Sequence, residues 1–296
     1  MFARRRRAFT GTERLLSIIV ECFSLLMLYI VLSPQVAMPL YNAIIFHPIA
    51  EADDLKDQIK GIEQVFHCTY QDIHFQAPDG ERLHGWYFAV PHAKKTILVS
   101  HGNAGCIQHH FVLYPLLLQS GCSVFMYDYE GFGESTGSPS VTKVCQDAVA
   151  SFDYLTKELH WKPSDVIIYG ESIGAGVTSE LSKQRLAGGI ILQSPFTSLP
   201  EVGADRIFFI RFYPERFFPV PTLSNLDIMK LPHPPLLIIH GMKDEMLPYR
   251  YAQQIMASAA LPSTLILLPN AGHTDVYKTD LKLTIPALNS FVAGLP

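Results

Sequence analysis

The chain has 296 residues, of which 48% are hydrophobic and 17% charged, with a formal net charge of −4. That supplies enough apolar material for one sizeable core, and a chain without a basic domain is a poor candidate for binding nucleic acid. Five cysteines lie at irregular spacing with no C-x-x-C pair and no zinc-ligand pattern, so they read as mostly buried free thiols.

Residues 15–32, LLSIIVECFSLLMLYIVL, carry a single charge, Glu21. As a helix the run would span ~27 Å, close to a bilayer core. A basic tail (residues 1–14, with arginines at 4–7 and Arg14) precedes it, and no basic residue follows until Lys56. The positive-inside rule then keeps the N-terminus cytoplasmic and puts the rest of the chain on the non-cytoplasmic side. A retained signal anchor over 15–33 is favoured over a cleaved signal or a buried soluble helix, because the run is long for a signal peptide and no A-x-A site follows. Glu21 must then be shielded by a partner helix or lie near an interface. Residues 34–69 read as a membrane-proximal connector, helical in part.

From residue 70 the pattern is regular. QDIHFQAPDG and ERLHGWYFAV alternate around Asp79-Gly80, a hairpin signal. Short apolar runs then read as buried strands: TILVS (96–100), SVFMYDY (123–129), DVIIYG (165–170), GIILQS (189–194), LLIIHG (236–241) and TLILLP (264–269). Stretches of helical spacing separate most of them, which predicts a mostly parallel sheet with helices on both faces. Residues 196–235 break the rhythm and read as a short cap insertion. Its aromatic residues Phe208, Phe209, Phe212, Tyr213, Phe217 and Phe218 suit either a helix packed on the sheet edge or an apolar pocket or membrane-facing surface.

Within IYGESIGAG (168–176) a serine sits at G-x-S-x-G spacing. The pentapeptide alone is weak; its context is what counts. A strand (DVIIYG) leads into Glu171-Ser172-Ile173 and then a helical stretch, the strand–turn–helix that exposes a nucleophilic serine. A serine hydroxyl needs a positioned base. Asp244 follows the strand LLIIHG and His273 follows TLILLP, so acid and base fall in the order Ser, Asp, His at the C-terminal sheet edge. Asp275 and Glu245 are rival acids; Asp275, two residues from His273, is expected to seat its loop. Backbone N–H groups of Ile173 and Asn103, the latter in SHGNAG (100–105), are the expected oxyanion donors. His101 is expected to orient that loop.

Two decoys are set aside. GFGESTG (131–137) has its third glycine misplaced for a dinucleotide fingerprint and reads as a tight turn. His109-His110 has no third ligand at metal spacing and reads as surface or pocket rim. No metal or organic cofactor is implied.

The motifs HGNAG, DYEGFGES, GESIGAG, HGMKDEMLP and NAGHTD resemble those of a membrane-anchored branch of α/β-hydrolases. That branch includes eukaryotic protein depalmitoylases and bacterial proteins with a serine-aminopeptidase-like domain. The resemblance covers about residues 40–293, including IIFHP after the apolar run. It implies the α/β-hydrolase fold over residues 70–296, a triad of Ser172, Asp244 and His273, and oxyanion donors Asn103 and Ile173. The cysteine-rich N-terminus of the depalmitoylases is absent. The expected activity is hydrolysis of a carboxylic ester or thioester of an acyl, lipid-like substrate through an acyl-enzyme. A serine peptidase of the aminopeptidase type is the enzymatic alternative. A silent hydrolase-fold module binding at the membrane is the non-enzymatic one.

Overall fold

The computed structural model describes residues 11–50 and 54–296; the arginines at 4–7 lie outside the described residues. The chain opens with α1 (Gly11–Val31), α2 (Met38–Ile45), the two-residue strand β1 (His47–Pro48) and α3 (Lys56–Phe66). The hairpin follows as β2 (Thr69–Gln76) and β3 (Arg82–Ala89), then β4 (Thr96–Ser100), β5 (Ala104–Gly105) and α4 (Leu113–Leu118). Next come β6 (Ser123–Asp128), α5 (Val141–Lys157), β7 (Val166–Glu171), α6 (Ile173–Ser182) and β8 (Gly189–Gln193). The remainder is α7 (Leu199–Arg206), α8 (Asn225–Met229), β9 (Leu236–Gly241), α9 (Arg250–Ser258), β10 (Ser263–Leu268) and α10 (Leu281–Gly294).

Eight strands form one sheet in the order β10-β9-β8-β7-β4-β6-β3-β2. The hairpin pairs antiparallel with itself and with β6, while the other pairs are parallel. Alternation of the strand side chains divides the core. Leu98, Ile168, Ile190 and Ile238 join one buried cluster, and their neighbours Ile97, Ile167, Ile191 and Leu237 join the other. Both faces of the central strands are thus covered, which is why these segments read as continuous apolar runs in sequence. Cys68, Cys106, Cys122 and Cys145 are free and buried; Cys22 is free and exposed on α1.

Helix α1 has 21 residues, and its most apolar 18-residue stretch has a mean hydropathy of 2.1 and no buried part. It is long and apolar enough to cross a membrane, starting four residues earlier than the apolar run suggests. Within it, the Ser17 hydroxyl donates to the Glu21 carboxylate at 3.3 Å. The segment after it is not a passive spacer. β1 pairs parallel with β5, matching His47 to Ala104. The aromatic residues of the insertion divide three ways. Phe208, Phe209 and Phe212 are exposed, Phe218 is buried, and Tyr213 stacks on Tyr29 of α1 with ring centroids 4.5 Å apart. The Tyr29 hydroxyl also donates to the Phe212 carbonyl at 2.7 Å, and the Gln35 N–H to the Phe217 carbonyl at 2.7 Å. Helix and insertion therefore meet along one seam.

Candidate active site

Ser172 sits between β7 and α6 with φ 55° and ψ −117°, a conformation that L-residues rarely hold. Its neighbours explain how the turn is tolerated. A Cβ on Gly170 would lie 2.2 Å from the Gly174 carbonyl oxygen, and one on Gly174 would lie 2.0 Å from that of Ser100. Helix and strands approach so closely that only glycine fits at either position. Gly174→Ala should therefore be among the most damaging single-methyl additions, costing about 3 kcal/mol. Thermal unfolding of the variant against Gly11→Ala, where nothing lies within 4 Å, would check this.

Around the serine the structure brings together residues far apart in the chain. His273 Nε2 lies 3.1 Å from Ser172 Oγ, and His273 Nδ1 lies 2.7 Å from Asp244 Oδ2. Oδ1 of Asp244 accepts the backbone N–H groups of Met246 at 2.9 Å and Leu247 at 2.7 Å. A second imidazole, His240, reaches Oδ2 at 3.3 Å while bonding the Leu247 carbonyl at 2.7 Å. Burial works to raise the Asp244 pKa, but the hydrogen bonds from His240 and His273, the charge of His273 and the Leu247 N–H outweigh it. The carboxyl is held well below the usual carboxylate range.

Ile173, the first residue of α6, and Asn103 line one cavity with Ser172. The first N–H groups of a helix have no acceptor within it, so that of Ile173 is free of a helical partner. Asn103 is tied from below: its side-chain amide donates to the Ile45 carbonyl at 2.9 Å, and its own carbonyl accepts the His47 N–H at 2.9 Å. His101 is fully buried with Nδ1 2.7 Å from the Gly102 carbonyl. Burial, with the nearby His110 charge, holds it well below the usual imidazole range, so it is neutral. Asp275 accepts the Gly272 N–H at 2.6 Å and braces the His273 loop, while Glu245 is exposed.

His110 is mostly buried beneath Gly102, with a partner that spacing did not suggest: Nδ1 is 3.0 Å from the Glu171 carboxylate. Burial acts to lower its pKa, but the Glu171 charge and hydrogen bond prevail and raise it. His240 was equally hidden. Its only trace in the sequence is a polar residue one position before the end of the strand LLIIHG. GFGESTG is a turn, with Gly131, Gly133 and Gly137 all at positive φ.

The cavity itself has a volume of about 290 Å³. Tyr41, Ile44 and Ile45 of α2 form one wall, and Val202, Ile207 and Ile210 of the insertion form another. Arg206 is the one charged side chain among its described lining residues.

An eight-stranded, mostly parallel sheet carrying a serine at a strained strand-to-helix turn defines an α/β-hydrolase. Residues 91–225 match the family described as serine aminopeptidase, S33. A Mycobacterium tuberculosis protein described as uncharacterised is 33% identical over 226 residues, covering 75% of this chain and 79% of its own length. The α/β-hydrolase domain-containing protein 17B of Xenopus tropicalis is 32% identical over 189 residues, covering 63% and 62%. Among solved structures, an esterase of Pyrococcus furiosus superposes with a TM-score of 0.68 at 19% identity, covering 84% of this chain and 97% of that one. The chain belongs to the α/β-hydrolase family with this serine-aminopeptidase-type domain.

Proposed function

We propose that the protein is a membrane-anchored serine hydrolase that cleaves carboxylic ester or thioester bonds of acyl, lipid-like substrates. The observation that carries this is the hydrogen-bonded series Ser172–His273–Asp244 opening into an apolar cavity. As Ser172 Oγ bonds to the acyl carbon, its proton passes to His273 Nε2. The oxyanion accepts the N–H groups of Asn103 and Ile173. Collapse breaks the C–O or C–S bond, and the leaving group takes the proton from His273. Water then repeats the sequence on the acyl-enzyme and frees the acid. Asp244 fixes the imidazole tautomer and stabilises the imidazolium.

The lining favours an acyl chain over a peptide amine, since no carboxylate among the described lining residues could hold an ammonium group. Its position favours a substrate drawn from a lipid leaflet. Exposed Phe208, Phe209 and Phe212 flank Ile207 and Ile210 of the cavity wall, and the Phe212 carbonyl accepts the Tyr29 hydroxyl of α1. Residues 15–33 would anchor the protein with its N-terminus cytoplasmic and the domain on the other side.

The test is fluorophosphonate labelling of the purified full chain, followed by a chain-length series of acyl esters. Each methylene buried adds ~0.8 kcal/mol, so kcat/KM should rise about fourfold per methylene until the cavity is full. A flat series with rapid cleavage of aminoacyl amides would favour the aminopeptidase reading instead. A folded protein that neither labels nor turns over would be a binding module.

A further inference from the structure

Away from Ser172, the hairpin edge of the sheet gathers a second set of chemistry-bearing side chains. Asp72 and His74 lie two residues apart on β2 and so share one face. His84 on β3 stands directly opposite His74 in the register. Glu134, from the turn after β6, completes the group: His74 Nε2 is 3.5 Å from its carboxylate, and His84 Nε2 is 2.7 Å from Asp72 Oδ1. One donor atom from each of His74, His84 and Glu134 falls within 4.8 Å of the others. The four residues are spread over positions 72–134 and match no metal-binding motif; the fold alone collects them.

We propose that Asp72, His74, His84 and Glu134 form a binding site for a divalent transition-metal ion of the Zn²⁺ type. His74, His84 and Glu134 supply two nitrogens and an oxygen close enough to share one such ion, and Asp72, now 2.7 Å from His84 Nε2, completes an N₂O₂ set by swinging clear of that nitrogen. Charge balances, since two carboxylates neutralise the dication and both imidazoles bind as neutral ligands. The surroundings of His84 are those of a metal ligand. Its ring is buried, and Nδ1 lies 3.3 Å from Oδ2 of Asp128, which is itself buried. A carboxylate behind a histidine fixes the tautomer and turns the far nitrogen toward a metal. A neutral imidazole has one N–H, which cannot serve both Asp72 and Asp128. With that hydrogen directed at Asp128, the Nε2 lone pair faces Asp72 Oδ1 at 2.7 Å, and a cation bound by both atoms relieves that repulsion.

The site is open to entry, because the side chains of His74 and Glu134 are 39% and 56% exposed. It also reaches inward. The other oxygen of Asp128 accepts the Ile107 N–H at 2.8 Å, in the loop that carries Asn103. A bound ion would tie the edge hairpin to that loop, as a structural clasp rather than a participant in hydrolysis.

The experiment uses the full chain stripped with chelator and titrated with Zn²⁺ by calorimetry, alongside His74→Ala and Glu134→Gln. Both side chains are half-exposed, so the variants should fold, which far-UV circular dichroism verifies. The proposal expects one equivalent bound per chain, at least tenfold weaker in each variant. It also expects a Tm rise of about 5 °C at a hundredfold excess over Kd, lost in the variants. No stoichiometric binding, or binding equally tight in both variants, would overturn it. His84 would then be a protonated bridge between two carboxylates.

Discussion

Ser172→Ala is expected to lower kcat on acyl esters about 10⁶-fold, equivalent to roughly 8 kcal/mol of lost transition-state stabilisation. The methyl group fits the site without disturbing it, since Ser172 is buried and its strained backbone is imposed by the flanking glycines. Folding should be untouched, while the bond-forming atom is gone. His273→Ala should cost a similar factor, and the double variant little more than either alone, because nucleophile and base act as one unit. The check is steady-state kinetics on a soluble medium-chain ester with fluorophosphonate labelling of all three variants. Additive losses would mean that serine and imidazole act separately, which is incompatible with the proposed proton transfer between them.

Asp244→Asn is expected to lower kcat about 10⁴-fold with KM nearly unchanged, because an amide can present an N–H where the imidazole N–H should go. The same substitution should reshape acid stability. The Asp244 carboxyl is held below its ordinary range by His240, His273 and the Leu247 N–H. A lowered folded pKa contributes stability in full above the unfolded value, about 3.9, and loses it as pH falls through the folded one. The wild type should thus lose stability between about pH 5 and pH 2 more steeply than the variant. Urea midpoints across that range would show it; parallel slopes would contradict the assigned hydrogen bonds.

Much of the architecture was legible because the central strands are buried on both faces. TILVS, DVIIYG and LLIIHG are short, branched and apolar, and each ends in glycine or a polar residue where the chain reverses. The positions of Ser172, Asp244 and His273 were legible for a related reason: each follows a strand end, and parallel strands present those ends along one edge. What could not be read is contact between distant segments. The aromatic residues of 208–218 look alike in sequence, yet Tyr213 meets α1, Phe218 is buried and Phe208 is exposed. Nothing local distinguishes them. Nor does the polar residue one position before the end of LLIIHG reveal that His240 would share the Asp244 carboxylate with His273. The meeting of Asp72, His74, His84 and Glu134 depends on strand register, which no periodicity encodes.

The segment after α1 connects it to the sheet and also splints the loop that carries Asn103. Ile45 and His47 hold Asn103 through two hydrogen bonds of 2.9 Å, and Ile49 accepts the Gly133 N–H at 3.1 Å. Proteolysis at two neighbouring places would therefore have opposite results. Under the proposed function, a cut between Val31 and Pro34 would sever the chain behind the apolar helix, which Tyr29 still holds to the insertion, and leave the loop that carries Asn103 in place. A cut between Ile45 and His47 would leave Ser172, His273 and Asp244 in place but free the loop beside them. Loss of the helix and loosening of the loop would then be separated by little more than a dozen residues.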